Sequence, residues 1–272
     1  MKTVNQLISQ KSKVKRTIVC LSFFIFHFSF LIAFTQSIQV QNAYMYLGEK
    51  KYDKAKAAAD ASVTNESTQS VPKAWMYRAK IYQKIYQDTS EKTNGLDPDA
   101  VEKSVESYVK CLQLDKDKIY KDNEEVKEGL RTSVGALKKK VEKFYMSAGE
   151  YDKAINAIGI LKTTLPYDFG EVLKRQNVTT ENLMYLEYQA YYTANKDAAK
   201  TKELGDKLMA ISFKIPLIYS TMAKLSLTQK DTASALSCLD KGLALFEDNL
   251  DLLTMQIDIL IAQKKNDLLK QN

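Results

Sequence analysis

The sequence is poor in the residues that punctuate β-rich folds and in the residue that carries most acid–base chemistry. Nine glycines and four prolines are few for 272 residues, and sandwiches or barrels need many more turn-forming positions. The single histidine, His27, lies near the N-terminus, so the rest of the chain has none for triad catalysis, acid–base chemistry or zinc. Neither a GxGxxG nor a GxxxxGK(S/T) motif occurs, which disfavours a nucleotide site. The sequence therefore predicts no enzymatic activity, cofactor or metal.

Neither charge nor cysteine content indicates a specialised ligand. Five of the 40 basic residues lie in residues 1–35, which hold no acidic residue, so 35 basic residues meet 33 acidic residues in the remainder. A nearly neutral body offers no electrostatic basis for binding nucleic acid. Cys111 and Cys238 fall on apolar helical faces far apart in the sequence, and we expect them to be small buried side chains.

The N-terminal segment has the composition of an export signal. Basic residues up to Arg16 are followed by an apolar run over residues 17–34, the order found in secretory signals. We expect residues 1–35 to be a signal peptide. An uncleaved membrane anchor is the alternative, because about 18 apolar residues suffice to span a bilayer. Both alternatives place the rest of the chain outside the cytoplasm, in a bacterial periplasm or cell envelope or secreted.

Apolar residues recur at helical spacing through residues 36–272, and the helices they predict come in pairs. Trp75, Ala79 and Tyr82 stand at i, i+4 and i+7. Short polar turns separate successive segments, which implies antiparallel neighbours. The pattern repeats, and in its clearest instance an aromatic residue, a turn glycine, a tyrosine, a small residue and a helix-ending proline follow one another: Tyr145, Gly149, Tyr151, Ala154 and Pro166.

This spacing resembles that of the tetratricopeptide repeat (TPR) of exported bacterial proteins. The resemblance implies an all-α, right-handed superhelical solenoid of antiparallel helix pairs, with about five and a half repeats over residues 36–272. Extra acid-rich residues near 86–99 interrupt the second repeat, and we expect them to be a solvated insertion, with a loose calcium loop as the alternative. In the looser repeats the matching packing positions are Tyr46, Tyr52, Ala55, Trp75, Ala79, Tyr82, Ala223 and Ala235. The sixth repeat begins at Asp248 and lacks a full second helix, so either a partner covers its apolar face or its end frays.

In TPR proteins the first helix of each pair lines a concave groove, which commonly takes an extended or helical segment of a partner. Carried over position by position, the resemblance implies a groove that includes Lys80, Lys84, Lys139, Lys143, Tyr185, Gln189, Tyr192 and Lys224. The lysines would hold acidic partner segments, although lysines are also typical of a solvated face. The tyrosine and glutamine spacing on one helix face suits a peptide or a sugar, with packing between repeats as the alternative.

The sequence therefore predicts a non-catalytic scaffold for protein–protein interaction outside the cytoplasm, with partner segments bound in the TPR groove. We expect protein or peptide partners in the cell envelope and no nucleic acid. Contact with a membrane would come only through an uncleaved N-terminal segment. The alternative function is an extracytoplasmic glycan- or ligand-binding protein built from helical repeats.

Overall fold

The computed structural model describes residues 38–90, 93 and 95–271, with side chains up to residue 264. The predicted signal segment, residues 1–35, lies outside this range. The described residues form helices, turns and loops and contain no β-strand. Within the same range, every helix is too short or too polar to cross a bilayer. The chain divides into two compact units, with the boundary between Val134 and Gly135.

The first unit consists of helices that pack in order along the chain. They are α1 (38–48), α2 (Tyr52–Thr64), α3 (Pro72–Gln87), α4 (Ala100–Leu114) and the first part of α5 (Glu124–Lys140). Helix α3 packs against both α2 and α4, and Pro72 stands at the first helical position of α3, where its missing N–H is harmless. Small alanines of α1 and α2 share one core with the larger side chains of α3.

The second unit continues the same alternation. Helix α5 runs into a π-helical turn (Val141–Tyr145), and the helices that follow are α6 (Tyr151–Lys162), α7 (Val172–Arg175), α8 (Thr180–Ala194), α9 (Ala198–Ala210), α10 (Pro216–Thr228), α11 (Thr232–Leu243) and α12 (Leu250–Gln271). Helix α6 packs against α8, and each helix from α8 to α12 packs against the next one. Tyr188, Ile218 and Leu239 lie at the centre of its core.

One left-handed residue closes the turn inside several helix pairs. Lys50, Gly149, Asn195 and Lys230 have φ angles of 55°, 73°, 50° and 59°, respectively. After three of these helices, the N–H of the next residue donates to the carbonyl five residues back, as Glu150 does to Tyr145 at 2.9 Å. This is the Schellman ending, which satisfies the last carbonyls of a helix and turns the chain sharply. The same ending in both units shows that the helix pair is the repeating element.

The predicted packing positions lie where two helices meet. Ala55, Ala79, Ala154, Ala223 and Ala235 are fully buried, as is the large side chain of Tyr82, and Tyr145 is nearly so. Tyr46, Tyr52, Trp75 and Tyr151 are half-buried, whereas Pro166 is exposed in a 3-10 turn just after α6. Because an alanine lets two helix backbones approach closely, this arrangement confirms the all-α, TPR-like prediction.

A polar cluster joins α2, α3 and α4 in the first unit. Arg78 donates from Nε to Asp60 at 2.8 Å and from Nη1 to the Ser107 hydroxyl at 2.7 Å. The hydroxyl of Tyr82 donates to Asp60 at 2.8 Å, and the guanidinium carbon of Arg78 lies 4.6 Å from the centroid of the Tyr82 ring. Burial and the hydrogen bond to Asp60 raise the pKa of Tyr82 to about 12, so its hydroxyl keeps its proton.

The segment between α3 and α4 is tied to the helices by one buried carboxylate. Asp97 accepts a hydrogen bond from Lys103 of α4 at 2.7 Å and lies 3.5 Å from the ammonium of Lys56 in α2. Burial works against ionisation, but the hydrogen bond and the charge of Lys103 lower the pKa of Asp97 below its ordinary value. The insertion is therefore held at its C-terminal end and is not solvated throughout.

The two cysteines in the described part of the chain, Cys111 and Cys238, are buried and form no disulfide. Burial raises the pKa of the Cys111 thiol to about 12. It raises the pKa of Cys238 as well. Since the thiolate is the reactive form of cysteine, both side chains act as small apolar packing groups.

Candidate functional site

The first unit has a groove lined by both charge signs. This unit-1 groove encloses about 350 Å³ and is lined by residues of α1 and its turn, the start of α2, α3, α4 and α5: Leu47, Gly48, Lys50, Tyr52, Lys80, Gln83, Lys84, Tyr108, Glu125, Glu128 and Gly129. Lys80 forms an ion pair with Glu125, and Glu128 pairs with Arg131. The side chain of Lys84 has no ionic partner within the described part of the chain. The groove is therefore only weakly basic.

The floor of the unit-1 groove is formed where a tyrosine of α4 packs against a glycine of α5. Tyr108 of α4 is buried, and its hydroxyl donates to Oε1 of Gln83 at 2.8 Å. Its ring end lies directly against Gly129 of α5, at the place where a Cβ would stand. Burial raises the pKa of Tyr108 far above its ordinary value, which keeps the hydroxyl protonated as a donor. Because Gly129 has no side chain, α4 and α5 are able to pack this closely.

The second unit has a larger groove. This unit-2 groove encloses about 540 Å³, and three parts of the unit line it: the end of α5 with its π-helical turn, the segment from Asn177 through α8, and the connection after α9. The lining residues are Lys138, Glu142, Met146, Asn177, Asn182, Tyr185, Leu186, Gln189, Phe213 and Ile215. Helix α8 presents Asn182, Tyr185 and Gln189 at i, i+3 and i+7, one face of a helix.

Aromatic rings and uncharged amides dominate the chemistry of the unit-2 groove. The rings of Tyr185 and Phe213 lie 5.5 Å apart between centroids, and Gln189 donates from Nε2 to the Tyr185 hydroxyl at 3.0 Å. Burial raises the pKa of Tyr185, so the phenol is neutral and polar. The side-chain amides of Asn177 and Asn182 have no hydrogen-bond partner among the described residues, although each carries donors and acceptors.

The only charged side chains that line the unit-2 groove compensate each other. Lys138 at the end of α5 and Glu142 in the π-helical turn form an ion pair at 2.7 Å. An ion pair of this kind leaves little net field in the groove. A ligand in this groove would therefore meet shape and hydrogen-bonding groups and little net charge.

The predicted groove residues fall into three groups in the structure. Lys80 and Lys84 line the unit-1 groove, and Tyr185 and Gln189 line the unit-2 groove. Tyr192 stacks on Tyr188, with centroids 6.2 Å apart and an angle of 7° between the ring planes, and is 38% exposed. Outside both linings lie three exposed lysines, Lys139, Lys143 and Lys224.

The π-helical turn explains why Lys138 and Glu142 occupy the groove positions that the sequence assigned to Lys139 and Lys143. Counting back from Met146 by three and seven residues leads to residues 143 and 139, whereas the wider spacing of four and eight leads to 142 and 138. In the π-helical turn the N–H of Met146 donates to the carbonyl of Val141, five residues back. The wider turn shifts the phase by one residue. Phe213 and Ile215 follow α9 in an irregular connection and show no periodic signal.

The described residues contain no cluster of three or more histidine, cysteine, aspartate or glutamate side chains that would hold a metal ion. In the insertion, the carboxylate of Asp88 instead accepts from the backbone N–H of Ser90 at 2.9 Å. Asp97 is engaged by Lys103, as described above. The carboxylates of this segment thus serve to order the loop.

The solved structures to which this chain is similar are distant from it in sequence. No protein-family profile matches the sequence, and no curated protein sequence is detectably similar to it. The chain is similar to TTC0263, a thermophilic TPR protein of Thermus thermophilus, with 17% identity over 83% of this chain and 99% of that one and a TM-score of 0.30. It is similar also to PilW, a widely conserved type IV pilus biogenesis factor, with 16% identity over 85% and 86% and a TM-score of 0.31. The TPR-like assignment rests on the helix turns and packed alanines.

Proposed function

We propose that this protein is a non-catalytic interaction scaffold that acts outside the cytoplasm and binds an extended segment of a partner protein in the unit-2 groove. The observation that carries the proposal is the pairing, in one groove, of an aromatic platform (Tyr185 and Phe213) with two unpartnered amides (Asn177 and Asn182). The basic and then apolar N-terminal segment supports the location, and partners in the cell envelope follow from it.

An extended peptide matches this lining in two ways. Its backbone offers an N–H and a carbonyl at every residue, and amide side chains are able to bond both groups. A side chain of the peptide that enters between Tyr185 and Phe213 buries apolar surface against two rings, the kind of contact that dominates binding energy at interfaces. Because Lys138 and Glu142 neutralise each other, we expect the bound segment to be uncharged at its centre.

The test compares two neighbouring residues of α8. Peptides selected from a displayed library on the purified protein should lose about fivefold in affinity with Asn182→Ala, because a neutral hydrogen bond contributes about 1 kcal/mol. Glu181→Ala is the matched control, since Glu181 is exposed and does not line the groove. Equal affinity of both variants and the wild type for every selected peptide would contradict the proposal.

The unit-1 groove is the place where an acidic partner segment would bind. Lys84 is available to donate to a carboxylate, and Lys80 becomes available when its partner Glu125 is displaced. Glu125→Gln should therefore strengthen the binding of acidic peptides severalfold at low salt, and Lys84→Glu should weaken it. If neither variant changes the affinity, the two lysines belong to a solvated face.

A glycan is the alternative ligand for the unit-2 groove, because aromatic rings beside amide groups also suit a sugar. A peptide library and a glycan array distinguish the two ligands. The groove would be assigned to a sugar by two results together. The wild type would bind glycans on an array and lose this binding with Asn182→Ala and with Tyr185→Ala, and it would select no peptide.

A further inference from the structure

Helix α12 has one packed face and one uncovered face. Leu252, Met255 and Ile259 pack into the core that α10 and α11 form. On the other side, Leu250 is 77% exposed, Ile257 is 52% exposed, and Leu260 and Ile261 are each 49% exposed. These four side chains make the densest group of exposed large apolar residues that any described helix carries.

After Ile259, the described side chains of α12 lack cover from other helices. No side chain from Leu260 to Lys264 is buried, and the helix continues for a further seven residues to Gln271, about 10 Å. Isolated helices shorter than about 12–15 residues are marginal in water. A stretch of exposed helix without packed neighbours is a surface on which a second helix would add stability.

The spacing of the uncovered face fits another helix. Leu250, Thr254, Ile257, Ile261 and Lys264 follow one another at alternating intervals of four and three residues, the pattern of a coiled-coil seam. An extended segment would not follow a stripe that winds along the helix in this way. The occupant is therefore a helix that runs beside α12 over several turns.

The charges along α12 favour a second molecule of this chain in the opposite direction. Asp251 and Asp258 come first, and Lys264 follows. In an antiparallel pair that faces Ile257 of one molecule with Ile261 of the other, Lys264 lies opposite Thr254 and one turn from both aspartates of the second molecule. A parallel pair would place Lys264 against Lys264. Complementary charge in one direction only sets the orientation.

We propose that α12 pairs antiparallel with α12 of a second molecule and that the protein forms a symmetric dimer through this face. The contact is isologous, since each molecule contributes the same stripe, and the twofold axis passes near the point where Ile257 and Ile261 meet. The lysine in the seam holds the register, as single polar residues do in coiled coils. The dimer leaves the role of either groove unchanged.

Sedimentation equilibrium on the purified full chain tests the dimer. Ile261→Asp should weaken dimerisation by about tenfold or more, because it places a charge in the centre of the seam. Since Ile261 is exposed, the variant should keep the wild-type circular dichroism. Ile119→Asp is the control, because Ile119 is 64% exposed in the first unit. A monomeric wild type, or equal dimerisation of the wild type and Ile261→Asp, would overturn the proposal.

Charge reversal and cross-linking test the direction. Lys264→Glu should weaken dimerisation, and adding Asp251→Lys with Asp258→Lys should restore it. Thr254→Cys combined with Lys264→Cys should give a cross-linked dimer on mild oxidation, whereas Lys264→Cys alone should not. A cross-link with Lys264→Cys alone, or no rescue by the reversed charges, would show that the helices do not pair in the antiparallel register.

Discussion

Replacing Gly149 by alanine should destabilise the second unit by about 1 kcal/mol. Gly149 has a φ of 73°, and an L-residue in this left-handed region costs about 1–2 kcal/mol. A Cβ at Gly149 would have only the ring of Tyr151 near it, at 3.9 Å, so steric overlap contributes nothing. The smaller entropy of an unfolded alanine returns about 0.5 kcal/mol. The expected loss of stability therefore comes only from the backbone conformation at residue 149.

Two substitutions elsewhere make this prediction specific. Gly159 lies in the middle of α6 and has nothing within 4 Å of its Cβ position, so Gly159→Ala should stabilise the protein by about 0.5–1 kcal/mol. Lys230 has a φ of 59° in the equivalent turn before α11. Lys230→Gly should be neutral or stabilising, because glycine removes the backbone strain of the left-handed conformation but raises the conformational entropy of the unfolded chain.

Urea denaturation followed by far-ultraviolet circular dichroism measures all three variants. The midpoint should fall for Gly149→Ala and rise for Gly159→Ala, with the denaturant slope unchanged. If both alanine variants shift the midpoint in the same direction, the left-handed turn does not determine the stability of the pair.

Three further predictions concern other parts of the molecule. Gly129→Ala should destabilise the first unit by about 2 kcal/mol through overlap with Tyr108, as thermal denaturation would show; an unchanged melting temperature would contradict the packing of α4 on α5. Asp97→Asn should lower the free energy of unfolding at neutral pH by about 2 kcal/mol, because a charged hydrogen bond is lost. The melting temperature should fall accordingly. Because the pKa of Asp97 is lowered from 3.8, its stabilisation is present above that value and is lost as the pH falls through the lowered pKa, so the variant and the wild type should converge at a pH below the lowered pKa. A constant difference would refute the ion pair. Amide hydrogen exchange should be faster after Leu250 than in residues 134–165 in dilute protein, since α12 has one packed face, and equal protection would contradict this.

The sequence predicted the parts of the fold that depend on one residue and its immediate neighbours. A turn glycine followed by Tyr151 and Ala154 has few structural solutions, and the structure has the expected one. Lys50 and Lys230 close equivalent turns, but a lysine in the left-handed region leaves no compositional sign. Their role follows only from the backbone angles.

The candidate site was less predictable because it depends on helical phase and on distant contacts. The residues of α8 that line the unit-2 groove, Tyr185 and Gln189, follow from regular spacing along one helix. On α5 the π-helical turn shifts the phase by one residue, and no feature of the sequence marks it. The ion pair between Lys80 and Glu125 joins residues far apart in the chain, so their pairing depends on how α3 and α5 pack.

The polar cluster of Asp60, Arg78, Tyr82 and Ser107 bears on the modularity of the first unit. A purely apolar seam between helix pairs would tolerate exchange of one pair for another, because any similar volume fills it. Here a guanidinium reaches a carboxylate on one side and a hydroxyl on the other, and removal of the Asp60 carboxylate would leave a partly buried positive charge without its counter-ion. The first two pairs are therefore not interchangeable modules, and their order along the chain is fixed by matched polar groups.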